Sequence, residues 1–220
     1  LYNQVMIATS YYKAVAGTLG AMHEHYLAWK DTSPIPMAEV AKALDKDVNA
    51  LKSQQILCAG MLRPAHLVDI LRNFVLFTQI DGRQIKLVPR YQQFRAVQKA
   101  VERLQTGKTK AEEGSQDQRG GVIWHTQGSG KSITMVYLVR KLRSIPALRG
   151  FKVVVCTDRT HLQDQLKDTA GLTDEAIRPS KEDERGSSSG RDVLKKILHE
   201  EGPDLVFAMM QKYLDRSGDE

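Results

Sequence analysis

Lys131 and Ser132 stand directly behind Gly128-Ser129-Gly130, an order of residue types suited to holding phosphate. Glycines let backbone N–H groups turn inward on an anion without a Cβ in the way. A helix beginning at Lys131 would add its own unpaired N–H groups and the positive end of its dipole. The Lys131 ammonium would then reach the β- and γ-phosphates of a nucleotide, and the Ser132 hydroxyl would sit on Mg²⁺. Thr126, Gln127, Gly128, Ser129 and Gly130 would supply the cradle. One position departs from the G-x-x-x-x-G-K-[ST] pattern, because His125 occupies the first glycine. A plain turn accounts for Gly128 to Gly130, but not for Lys-Ser at this spacing.

Such a loop works only between a strand and a helix that hold it. Val122-Ile123-Trp124 reads as a short buried strand, and Ile133 to Val139 as a buried helix. Farther on, Phe151 to Thr157 is a continuous apolar run, as expected of a parallel strand covered on both faces. Asp158-Arg159-Thr160 turns into a helix bearing Leu162, Gln165 and Leu166; Val193 to Leu198 is helical, and Leu205 to Met210 is another buried strand. Pro179 to Arg191, with Ser187-Ser188-Ser189-Gly190, reads as a flexible insertion. Strands alternating with helices predict an α/β fold with a parallel sheet.

Upstream, Leu1 to Lys30 carries helical apolar spacing at Val5, Ile7, Ala8, Tyr11, Tyr12 and Val15, broken by Gly17 and Gly20. His23-Glu24-His25 lacks the i, i+4 spacing that sets two imidazoles on one helix face. Pro36 starts a helix through Val40 and Leu44, and a second runs from Val48 to Gly60. Pro64 starts a third, with Leu67, Ile70, Leu71 and Phe74 on one side. Val75 to Ile80 and Arg83 to Val88 flank Asp81-Gly82, a hairpin signal, and Pro89 ends the returning strand. The next helix continues to Leu104, and Thr106 to Gly121 reads as a mobile loop.

A chain of 220 residues can form one large domain or two small ones, and 41% hydrophobic with 26% charged residues is ordinary for a soluble protein. Cys58 and Cys156 are isolated and fit no metal spacing, which suggests a reducing, cytoplasmic compartment. No run is long enough to span a bilayer, and the start lacks the basic residues of a signal peptide. Beginning on Leu inside an apparent element, the sequence reads as a fragment. The formal charge of +6 is uneven. Residues 81–152 hold 15 Lys and Arg against 5 Asp and Glu, a net of +10, and the remainder carries −4. A basic middle around a phosphate loop suits a polyanion as well as a nucleotide, although solvated helix faces look the same.

The order of signals then matters. Arg90-Tyr91-Gln92-Gln93, the run Trp124 to Ser132, and Val154-Val155-Cys156-Thr157-Asp158-Arg159 onward to Leu166 together resemble the motor/endonuclease subunit of type I restriction enzymes. His125 at the first glycine position is similar to that family's own version of the loop. Trp29-Lys30-Asp31 and Leu71 to Phe77 look like its connector between nuclease and motor. The resemblance implies a superfamily-two, helicase-like translocase of double-stranded DNA, with a P-loop RecA-like parallel sheet. On that likeness, residues 1–62 are a helical connector after a missing nuclease domain. Residues 63–220 are then a first lobe truncated before its Mg²⁺-binding carboxylate motif. It also implies ATP and Mg²⁺ as cofactors, and modification and specificity subunits as partners in a bacterial or archaeal cytoplasm. An adenine-reading glutamine falls on Gln93, which keeps the three-residue step to Ala96, or on Gln92, which is adjacent to Tyr91. Asp158 and Arg159, and Lys212 after Ala208-Met209, fall on the nucleic-acid side; Ala208 and Met209 lack the hydroxyls usual there.

Two other classes fit parts of the pattern. One is a small-molecule kinase or other P-loop phosphotransferase, which needs its own acceptor site. The other is a non-catalytic DNA-binding or assembly fragment. No hydrophobic strand ending in a carboxylate pair follows Met210, so the chain by itself is expected to be inactive in ATP hydrolysis.

Overall fold

A computed structural model describes residues 3–80, 82–157, 169–173, 175–180, 183 and 189–209. Two compact units divide at Gln127–Gly128.

The first unit opens with an antiparallel pair, β1 (Met6–Thr9) and β2 (Ala14–Gly17), in place of the helical spacing expected there. Ala14 and Ala16 are buried while β1 is largely exposed, so only one of the two strands shows a pleated alternation. The Ser53 hydroxyl fastens β2, donating to the Ala14 carbonyl (3.2 Å) and accepting its N–H (3.1 Å). Helices α1 (Met37–Ala43), α2 (Ser53–Gly60) and α3 (Pro64–Asn73) follow, the last with Pro64 in its first turn, as expected. Strands β3 (Leu76–Ile80) and β4 (Arg83–Leu87) form the hairpin that Asp81-Gly82 signals, with Gly82 at φ +73°. Helix α4 (Tyr91–Thr106) completes the core. Phe94 stands at its centre, with ring centroids 5.0 Å from Phe74, 5.1 Å from His66 and 5.7 Å from Trp29. Residues of the expected connector and helices of the expected lobe thus share one core. A Cβ on Gly60 would sit 2.0 Å from the Asp31 carbonyl oxygen and 2.5 Å from Trp29 Nε1.

The stretch expected as a mobile loop is partly ordered. A one-turn helix, α5 (Lys110–Glu113), is closed by reciprocal bonds between Thr109 and Glu112, which hold the Glu112 carboxyl below its usual range. The loop's two ends are joined where Gln118 N–H donates to the Lys108 carbonyl (2.9 Å).

The second unit is a three-stranded parallel sheet in the order β5 (Val153–Thr157), β7 (Leu205–Met209), β6 (Ile177–Arg178). Helix α6 (Lys131–Ser144) covers one face, where Val139 packs with Ala170, Leu205 and Phe207. Helix α7 (Gly190–His199) covers the other, where Val193, Leu194 and Ile197 pack on Val206 and Ala208. Central strand β7 is therefore buried on both faces, as its apolar run predicts. Strand β5 corrects the same expectation. Val154 and Cys156 on its second face are exposed, whereas Val206 and Ala208 of β7 are covered by α7. The two entry loops of the sheet are tied by cations. Arg143 makes a bidentate pair with Glu175 and donates to the carbonyls of Phe151 and Pro203 (2.7 Å each). Lys152 donates to the last carbonyls of α7, at Ile197 and Glu200, where a cation meets the negative end of the helix dipole.

Candidate nucleotide-binding site

Helix α6 begins where the sequence places it, at Lys131. Its N-cap is Gly130 at φ +87°, ψ 39°, left-handed geometry that a β-carbon strains, and a glycine there brings no capping side chain of its own. Two residues earlier Gly128 takes φ +74°, with open space where a Cβ would project. The glycines therefore stand at the two positions where the backbone requires them. An α-helix leaves its first N–H groups without partners inside the helix, so Lys131 and Ser132 stand where backbone donors and the positive dipole end coincide. Lys131 is exposed and Ser132 half-buried. Thr126 and Gln127 are exposed; His125 and Ser129 are half-buried.

A residue that sequence reasoning passed over fixes the junction. Buried Thr134 donates its hydroxyl to the Gly130 carbonyl (3.1 Å), which also accepts the Thr134 N–H (3.0 Å). The signal was available as one hydroxyl inside Ile133-Thr134-Met135-Val136, four residues after the glycine. Below it, Tyr137 is fully buried, and burial pushes its phenol well above the usual range, which keeps it neutral.

The expected strand Val122–Trp124 is not formed. Val122 and Trp124 are 92% and 87% exposed, and among the described residues no strand pairs with this stretch. An apolar run becomes a buried strand only with a ladder on its edge and a layer on its face. Residues 121–126 have neither among the described residues.

Gln92 and Gln93 lie in the first turn of α4. Gln92 is exposed, whereas Gln93 is 4% exposed and its Oε1 accepts the Arg90 N–H at 2.9 Å, a cap for its own helix. Asp158, Arg159 and Lys212 lie outside the described residues.

The sequence model of the SWI2/SNF2 ATPases matches residues 92–220, from the start of α4 through the loop and the sheet. The chain belongs to the SWI2/SNF2 ATPase family. Its mixed α/β second unit, with a parallel sheet between α6 and α7, is consistent with a helicase-like ATPase of that family. The chain is also similar to type I restriction enzyme subunits, as the motifs suggest. It is 32% identical over 217 residues to the type I restriction enzyme HindI endonuclease subunit of Haemophilus influenzae, covering 97% of this chain and 19% of that protein. To a candidate type I restriction enzyme MjaIXP endonuclease subunit of Methanocaldococcus jannaschii it is 27% identical over 227 residues, covering 100% and 20%. The chain therefore spans about a fifth of the length of these relatives. Among the described residues, no helix of this SWI2/SNF2 ATPase chain is long and apolar enough to cross a membrane.

Proposed function

We propose that the chain is the nucleotide-holding part of an ATP-driven DNA translocase and endonuclease subunit of a type I restriction system. The observation that carries this reading is the N-terminus of α6, entered through left-handed Gly128 and Gly130 and bearing Lys131 and Ser132. ATP·Mg²⁺ fits this donor set. The backbone of residues 126–130 and the helix N–H groups would take phosphate oxygens, Lys131 would neutralise them, and Ser132 would ligate Mg²⁺. When bound, the metal supplies charge neutralisation across the phosphates. Gln93 is the candidate adenine reader; Oε1 of an amide accepts a second bond and Nε2 donates. Gln92, the exposed neighbour, is the alternative. Duplex DNA is assigned to the basic middle of the chain and to Asp158, Arg159 and Lys212. Modification and specificity subunits are the partners this reading brings.

Support over a phosphotransferase reading comes from the family match and from relatives that are endonuclease subunits. Isothermal titration with a β,γ-imido analogue of ATP and Mg²⁺ tests the site. Lys131→Ala should weaken binding by at least about tenfold, the worth of one hydrogen bond to a charged group. Unchanged affinity in that variant would overturn the assignment.

A further inference from the structure

Hairpin β1–β2 ends in a tip whose residue types conflict with its geometry. Ser10 and Lys13 exchange both backbone bonds (Ser10 N–H to Lys13 O, 2.7 Å; Lys13 N–H to Ser10 O, 3.1 Å), which leaves Tyr11 and Tyr12 as a two-residue connection. Such connections favour Asn-Gly or Gly at positive φ, because those turns match the twist of the strands. Here neither tyrosine has positive φ; among the described residues only Asp45 does so without being glycine. Burial does not account for the choice, since Tyr12 is 71% exposed and Tyr11 43%. Two aromatic rings are thus held out on a tight turn that disfavours them, and a local rule broken without a packing gain marks a site with another use.

The surroundings indicate which use. The rings meet edge to face, with centroids 5.3 Å apart and planes at 82°, so one cannot collapse onto the other. Lys46 Nζ lies 5.1 Å from the Tyr11 centroid and donates to its hydroxyl (2.5 Å), and Lys52 Nζ lies 5.6 Å from the Tyr12 centroid. Lys13 adds a third cation at the tip. Asp45 and Asp47 are the nearby carboxylates in sequence, and Asp47 Oδ1 accepts the Asn49 N–H. Lys46 and Lys52 are half-buried and so held in place, not waving in solvent.

We propose that this tip is a stacking platform for an unpaired nucleotide of single-stranded DNA, with Tyr12 under the base and Lys13, Lys46 and Lys52 beside its phosphates. Aromatic faces with cations alongside are how proteins hold single strands without reading sequence. In a duplex the base faces are covered by their neighbours, so a protruding ring finds no partner there. The platform is independent of the nucleotide site.

Fluorescence anisotropy on the whole chain, with a labelled mixed-sequence single strand of about 16 nucleotides and its blunt duplex, tests this. Tyr12→Ala should weaken single-strand binding by roughly 5- to 150-fold, the worth of one stacked base, and leave duplex binding unchanged. Tyr12→Phe should keep the parent affinity, because stacking needs the ring and not the hydroxyl. Lys52→Gln should shallow the salt slope by about 0.7. Photocrosslinking of a 5-iododeoxyuridine strand should label Tyr12. Unchanged single-strand affinity in a folded Tyr12→Ala variant, an equal loss in Tyr12→Phe, or equal loss on the duplex would overturn the proposal. So would failure of the parent chain to bind single strands at low salt. Lys131→Ala should leave all these readings untouched, which separates this outcome from that of the nucleotide assignment.

Discussion

Lys131 and Gly130 are neighbours with opposite tolerances. Lys131 is exposed on the first turn of α6, so Lys131→Ala should change stability by no more than about 0.5 kcal/mol while removing the proposed phosphate contact. Gly130 holds φ +87°, where a β-carbon costs about 1–2 kcal/mol. Gly130→Ala should therefore lower the urea midpoint as well as nucleotide affinity. Finding the two variants equally stable would mean that the left-handed cap is not retained in solution. At Gly60 the constraint is space and not φ. A Cβ would lie 2.0 Å from the Asp31 carbonyl oxygen and 2.5 Å from Trp29 Nε1, so backbone must move. Gly60→Ala should destabilise the first unit by about 1–3 kcal/mol or more, as overpacking does, read by chemical denaturation.

Among the elements, Arg178 at the end of β6 gathers three carboxylates. Arg178 pairs with Asp183 (Nη2–Oδ1 2.6 Å), Glu200 (2.6 Å) and Asp204 (3.3 Å). Its hydrogen bond, aided by the Ser180 N–H, holds the Asp183 carboxyl well below the usual carboxylate range. A depressed folded-state pKa contributes stability that is complete above the unfolded value of about 3.9 and is lost as pH falls toward the folded value. Asp183→Asn should therefore cost about 1–3 kcal/mol at neutral pH. That gap should narrow below about pH 4. A gap that stays constant from neutral to acid would show that charge is not its source. The same scale shows what the sequence could reveal. Helix α3 behind Pro64, the hairpin at Asp81-Gly82, helix α6 and the parallel strands β5 and β7 are local in origin: a cap, a turn pair or an apolar run names each. The β1–β2 pair was illegible because its buried side chains are two alanines, while the larger apolar residues Ile7, Tyr11 and Val15 recur every four positions, as on one face of a helix. Strand β6 has two residues and no pattern to read. Val122–Trp124 failed differently. Apolar character says that a segment would gain by burial, not that a ladder partner is at hand. At the proposed site, the helix start at Lys131 and the left-handed glycines before it were readable, because a Gly-x-Gly ahead of an apolar helical run restricts the backbone there. The Thr134 clasp and the Gln93 cap were not, since a lone hydroxyl or amide takes its meaning from where the helix starts.

Charge is unevenly spread over the molecule. Residues 81–152 carry a net +10 while the rest carries −4, and the family match begins within that segment. A translocase has to advance over every sequence, so its contacts should be to phosphates and not to base edges. Binding of duplex DNA to this chain should then be indifferent to sequence. It should also weaken with salt at a slope near −0.9 per neutralised phosphate, as each contact releases a counterion. Arg159, outside the described residues and proposed for the nucleic-acid side, should be one of those contacts. Arg159→Ala should shallow the slope by about one and lower affinity equally on unrelated duplexes. A small-molecule kinase would show neither effect, because its basic residues would serve a nucleotide and an acceptor of fixed, low charge. Anisotropy with two unrelated duplexes across a salt series decides between them. A slope that Arg159→Ala leaves unaltered, beside an ATP analogue still bound through Lys131, would keep the nucleotide site and remove the DNA track.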